Sequence, residues 1–149
     1  MRIIVTLHRD RRRAGSFELR NDAGELLLAG PALGRAAQEI ATRDRNPTRD
    51  PLKRSGDTPT GTYIGRWHKL PAYMEGFGPA LIRLDPTAGD ALRAKQNGRH
   101  GLAIHGGRGS ARLVPTGGCV RLLDSDFERL AVALAIANIK SLPVTVQEQ

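Results

Sequence analysis

Short apolar segments broken by turn residues recur along this chain, and only one stretch carries a sustained helical period. Residues 2–7 are β-branched and apolar and predict a buried strand. Ser16–Arg20 and Glu25–Ala29 flank Asn21-Asp22-Ala23-Gly24, a turn sequence, and predict a β-hairpin. Residues 60–69, Ala80–Leu84, Gly101–Ile104, Val120–Leu122 and Pro143–Val146 complete a set of short strands. Residues 35–41 and Thr87–Lys95 predict short helices, the second ended by Asn97-Gly98. Ser125 and Glu128 have the spacing of a capping box, and the helix behind them runs to about Ile139. Phe127, Leu130, Leu134 and Ala137 lie on one of its faces. From Thr42 to Asp57 the chain is charged, rich in Asp, Asn and Pro, and aperiodic, which predicts a surface loop. A strand-rich chain with one main helix predicts a single mainly-β domain with α, a mixed β-sandwich, over residues 1–149.

Composition narrows the chemistry. One cysteine excludes an internal disulfide and a cysteine-rich metal site. The longest apolar run, Leu130 to Ala137, is far short of a membrane span. The first seven residues are apolar but are stopped by His8-Arg9-Asp10-Arg11-Arg12-Arg13, which reads as a strand and a basic turn, not a secretory signal. The net charge of +8 is spread along the chain, apart from the run at Arg11-Arg12-Arg13. A basic surface favours polyanions such as nucleic acid or an acidic wall polymer. Aromatic residues make up only 4% of the chain, too few for base-stacking platforms, so no nucleic-acid partner is expected.

The lone cysteine stands in Thr116-Gly117-Gly118-Cys119-Val120-Arg121-Leu122, fourteen positions after His105 in Ile104-His105-Gly106-Gly107. A thiolate nucleophile needs a base, oxyanion donors and access. His105 at a strand end supplies a base, and Gly117, Gly118 and Cys119 supply amides. A structural reading stands beside this one, since lone cysteines are often buried small hydrophobes; the glycines before Cys119 and the arginine after it argue against burial. His100, five residues before His105, is a candidate for the pocket wall. Thr116 can bond within the turn or to substrate. Arg121 has two readings, a buried ion-pair partner of Asp124 or Asp126, or a carboxylate clamp for a peptide.

These segments resemble the L,D-transpeptidase catalytic domain (YkuD type). That family carries a His-Gly, a loop, then a Ser/Thr-x-Gly-Cys-Ile/Val-Arg-Leu/Met segment, which Thr116, Gly118, Cys119, Val120, Arg121 and Leu122 fit. Asp124 and Asp126 fall where the family often has Asn and Asp, and Thr58-Pro59-Thr60-Gly61-Thr62-Tyr63 matches its Thr-Pro-x-Gly-x-Phe/Tyr segment. The sequence departs at Gly117, where many members have a second histidine, and in its short, basic loop after His105.

The resemblance implies a sandwich fold of that family's type, and cysteine acyl transfer on peptidoglycan stem peptides. Transpeptidation, D-amino-acid exchange and L,D-carboxypeptidase action all stay open. Cys119 is the implied nucleophile and His105 the base, with a carbonyl of Gly106 or Gly107 orienting its ring. Gly117 and Gly118 serve the oxyanion, and Arg121, Thr116, Gly106 and His100 are candidates for substrate contact. No metal and no organic cofactor is implied, and a carbapenem adduct on Cys119 is. The substrate points to the periplasm or cell wall. With no secretory signal read, a removed leader, cytoplasmic muropeptide recycling, and signal-independent delivery as an antibacterial effector with an immunity partner all stay open. A second class of function is a catalytically inactive, basic wall- or nucleic-acid-binding module on the same fold.

Overall fold

A computed structural model describes residues 1–108 and 112–149. Among them eight strands and three helices follow in the order β1 (Arg2–Leu7), β2 (Gly15–Arg20), β3 (Leu26–Leu33), α1 (Gln38–Arg43), β4 (Gly61–Met74), β5 (Gly78–Ala88), α2 (Asp90–Gln96), β6 (Ala103–His105), β7 (Val120–Leu122), α3 (Asp124–Ile136) and β8 (Ser141–Glu148). The mainly-β expectation holds, but the strands do not form a sandwich. They close into a barrel in the order β1-β2-β3-β7-β6-β5-β4-β8. The closing piece is β8, which pairs parallel to β1 and antiparallel to β4. Joining the ends of the sheet leaves no edge at which two layers could separate.

Strand alternation builds the core. Ile3, Val5 and Leu7 of β1 point inward with Phe17 and Leu19 of β2 and Val144 and Val146 of β8. The α3 face of Phe127, Leu130 and Leu134 joins the same cluster, and Trp67 stacks on Phe127 with ring centroids 5.8 Å apart. Tyr63 is fully buried and donates its hydroxyl to Pro59 O at 2.6 Å.

Several boundaries differ from the sequence expectation. α3 starts at Asp124, so Ser125 already lies inside the helix and no side chain caps it; the Ser125–Glu128 box does not form. The helix ends at Ile136, three residues early. α1 and α2 start later than expected, α2 behind Gly89 at φ +75°. β4 continues past Lys69 to Met74 and pairs with β5 in a long hairpin, whose tip carries Glu75, Gly76 and Phe77.

Candidate active site

β6 and β7 run parallel, with Ile104 opposite Val120 and His105 opposite Arg121. Side chains alternate along each strand. Ile104 and Val120 therefore fill the core, both 0% exposed, while His105 and Arg121 share the opposite face. Extending the register by one residue puts Cys119 beside Ala103, on that same face. A parallel pair needs a crossover, and the 106–119 segment supplies it, so both ends of the predicted catalytic segment arrive at one place.

That place is a cavity of about 700 Å³ whose walls include His105, Cys119, Thr116, Gly117, Arg121 and His100. His100 is exposed at the cavity wall. His8 and His68 do not line it. Among the described residues no group of three or more His, Cys, Asp or Glu is placed to hold a metal ion, and no helix is long and apolar enough to cross a membrane.

His105 is 1% exposed. Its Nδ1 lies 2.7 Å from Gly106 O. A carbonyl only accepts, so Nδ1 carries the proton and Nε2 keeps its lone pair. Nε2 is buried and has no hydrogen-bond partner. The Phe77 ring meets the imidazole edge-on, centroids 4.8 Å apart. Burial, helped by the nearby charge of Arg121 and opposed by the Gly106 bond, pulls the His105 pKa down to about 4. The ring is therefore neutral near pH 7, the state a general base requires.

Cys119 is buried, at 9% exposed, contrary to the expectation from its flanking residues. Its thiol donates to Gly101 O at 3.6 Å, not to His105. Burial pushes the thiol pKa up, against the Ala103 amide and the charges of Arg99 and Arg121. The resting pair is thus a neutral thiol and a neutral imidazole.

The turn before the cysteine is tied internally. Thr116 Oγ1 donates to Cys119 O at 3.0 Å and accepts the Gly118 amide at 2.9 Å. Thr116 is therefore a turn staple, and the Gly118 amide is not free for an oxyanion. Gly118 has φ +116°, and a Cβ there would run into the Arg99 guanidinium and Gly56 O. Gly117 faces open space. Gly106 does not present its carbonyl to the cavity, since His105 and Arg121 both occupy it.

Arg121 fits neither sequence reading. It is 3% exposed, and its hydrogen bonds go to Gly106 O at 2.7 Å, Val114 O at 2.9 Å and Gly76 O at 3.4 Å. The two aspartates are engaged elsewhere: Asp124 Oδ1 accepts the Gly107 amide at 2.6 Å, and Asp126 pairs with Arg129 at 3.2 Å. Two residues not singled out from sequence complete the site. Phe77 comes from the unforeseen extension of the β4–β5 hairpin. Arg99 is 6% exposed and donates to Pro51 O, Gly56 O and Asp57 O at 2.5, 2.6 and 2.8 Å, fastening the 51–57 segment beside the cysteine turn. Its one sequence signal was an arginine next to His100-Gly101, just before β6.

No protein-family model matches the sequence, and no curated protein sequence does. Solved structures do share the fold. Bd1075 from Bdellovibrio bacteriovorus is similar at a TM-score of 0.58 and 16% identity over 96% of this chain and 46% of that protein. The helical cell shape determining protein Pgp2 from Campylobacter jejuni is similar at 0.57 and 19% over 99% and 48%. The chain spans less than half the length of either protein, and at these identities the likeness is one of fold.

Proposed function

We propose that this chain is a cysteine acyltransferase or peptidase acting on peptidoglycan stem peptides. The observation that carries the reading is the imidazole of His105. Its Nδ1 is committed to Gly106 O and its Nε2 is unpartnered, in the cavity that also holds the chain's single thiol. A buried nitrogen without a partner is costly and is expected where a reaction uses it. The motif resemblance and the fold shared with a cell shape determining protein support the substrate class.

In this reading a substrate carbonyl enters beside Gly117. The Cys119 thiol turns from Gly101 O to His105 Nε2 and gives up its proton as Sγ attacks. The oxyanion is met by the amides of Gly117 and Cys119. Collapse expels the amine, which takes the proton from Nε2, and leaves a thioester on Cys119. An incoming amine or water, deprotonated by the same nitrogen, releases the acyl group. Transfer, exchange and hydrolysis differ only in that second nucleophile. The compartment is that of the substrate, the periplasm or wall, and an immunity protein is the expected partner if the chain is an exported effector.

One observation favours a second reading, an inactive wall-binding module: the thiol is buried and bonded to a carbonyl instead of to the base. Incubation with muropeptides and with a carbapenem, read by mass spectrometry, separates the two. The enzyme reading expects a changed muropeptide and a covalent adduct in the wild type, and neither in Cys119→Ala. Unaltered muropeptides and an unaltered protein mass in the wild type would leave the binding module.

A further inference from the structure

The charge of the cavity is one-sided. Its described walls include Arg54, Arg99, Arg108, Arg121 and His100, and no aspartate or glutamate. A concave site lined by one sign of charge concentrates ligands of the other. Arg99 and Arg121 spend their donors on backbone carbonyls, which are neutral, so their charges act as a fixed field. Arg54 and Arg108 are placed differently. Both are exposed, and they come from separate segments, the 44–60 stretch and the residues after β6. Arg108 makes no ion pair among the described residues. Arg54 lies 3.9 Å from Asp44, whose carboxylate already accepts Ser55 Oγ at 2.5 Å and faces Arg43 at 3.3 Å.

We infer that Arg54 and Arg108 are specificity residues that hold a free carboxylate carried by the substrate. The site therefore selects a carboxylate-bearing peptide over the same peptide amidated. This rests on the peptide reading above. A guanidinium presents a fork that matches a carboxylate, and an amide removes both the charge and one acceptor.

The test uses Cys119→Ala protein, which binds without turnover, and a synthetic stem tetrapeptide in free-acid and fully amidated forms. Calorimetric titration should show the free acid bound about tenfold tighter, the scale of two charge-assisted contacts at a solvent-exposed mouth. Adding Arg54→Ala and Arg108→Ala should shrink the gap to about threefold or less while affinity for the amidated peptide stays the same, which also reports an intact fold. Adding Arg2→Ala and Arg13→Ala instead removes as much charge away from the cavity and should keep the gap. Equal affinity for the two peptides, or a gap that survives loss of Arg54 and Arg108, overturns the inference. If wild-type protein turns over both peptides equally, the inference alone falls. If it binds and turns over neither, the peptide reading falls with it.

Discussion

The buried neutral imidazole of His105 makes a stability prediction that does not depend on the reaction. In the unfolded chain the ring takes a proton near pH 6.5; in the folded protein burial holds its pKa at about 4. Between those values the unfolded state binds more protons than the folded one, so stability falls as pH falls. Above pH 7.5 the ring is neutral in both states and contributes no slope. The full gap is worth about 3 kcal/mol at roughly 1.4 kcal/mol per pH unit, and about 2 kcal/mol of it is gone by pH 5. That is a sizeable part of a domain's typical 5–15 kcal/mol, roughly, or about 4–8 °C in melting temperature at this size. The carboxylates held low by partners, Asp10, Asp22, Asp44 and Asp85, start from 3.8 and lose their contribution below the His105 window. Urea denaturation from pH 8 to 4.5 on wild type and His105→Gln isolates the effect, because glutamine does not titrate. The wild type should lose about 2 kcal/mol between pH 7.5 and 5, and the variant a small fraction of that. Parallel pH profiles, or a wild type flat down to pH 5, would refute the burial argument.

Other outcomes follow from the same geometry. Alkylation of Cys119 by iodoacetamide should be slow at pH 7 and accelerate steadily above pH 8, because burial raises the thiol pKa; fast labelling with a plateau near pH 6 would mean a resting thiolate–imidazolium pair. Gly118→Ala should cost roughly 1–3 kcal/mol, since it joins a positive φ to a collision with Arg99 and Gly56, whereas Gly117→Ala, facing open space, should melt like the wild type yet impede substrate; equal melting of all three proteins would contradict this. Arg121→Lys should lower the melting temperature, by about 1–3 kcal/mol of stability, because one ammonium cannot serve three carbonyls spread over the hairpin tip and the β6–β7 connection. An unchanged melting temperature with a raised Michaelis constant would return Arg121 to the role of substrate clamp.

Much of the fold was legible where pattern is local. The β2–β3 hairpin announces itself through Asn21-Asp22-Ala23-Gly24, and Asn21 does accept the Gly24 amide, at 2.9 Å. The α3 stripe of Phe127, Leu130 and Leu134 was readable because a 3.6-residue period persists across it. The closure was not readable, since the pairing of β1 with β8 joins the two ends of the chain and leaves no trace in either segment beyond alternation. The tip of β4 was missed because Pro71 and Gly76 interrupt the strand signal, while pairing with β5 carries the strand through.

The site divides along the same line. Cys119 and His105 stand out because few residues can do their chemistry and both sit among glycines. What makes them a site is held from elsewhere. Gly106 O takes both the His105 ring and Arg121 of β7. The Gly107 amide goes to Asp124 at the start of α3. The Arg108 amide goes to Glu75 at the hairpin tip. Three successive residues after β6 are thus anchored by three different elements, and each anchor is a contact between distant segments. Short motifs mark the candidate nucleophile and base, but the tautomer of His105 and the neutrality of Cys119 follow from burial and backbone carbonyls, which no motif spells out. Arg121 shows the difference: its place in the motif suggests a ligand clamp, and its surroundings turn all three of its bonds inward onto backbone carbonyls, one of them the Gly106 O that also takes the His105 ring.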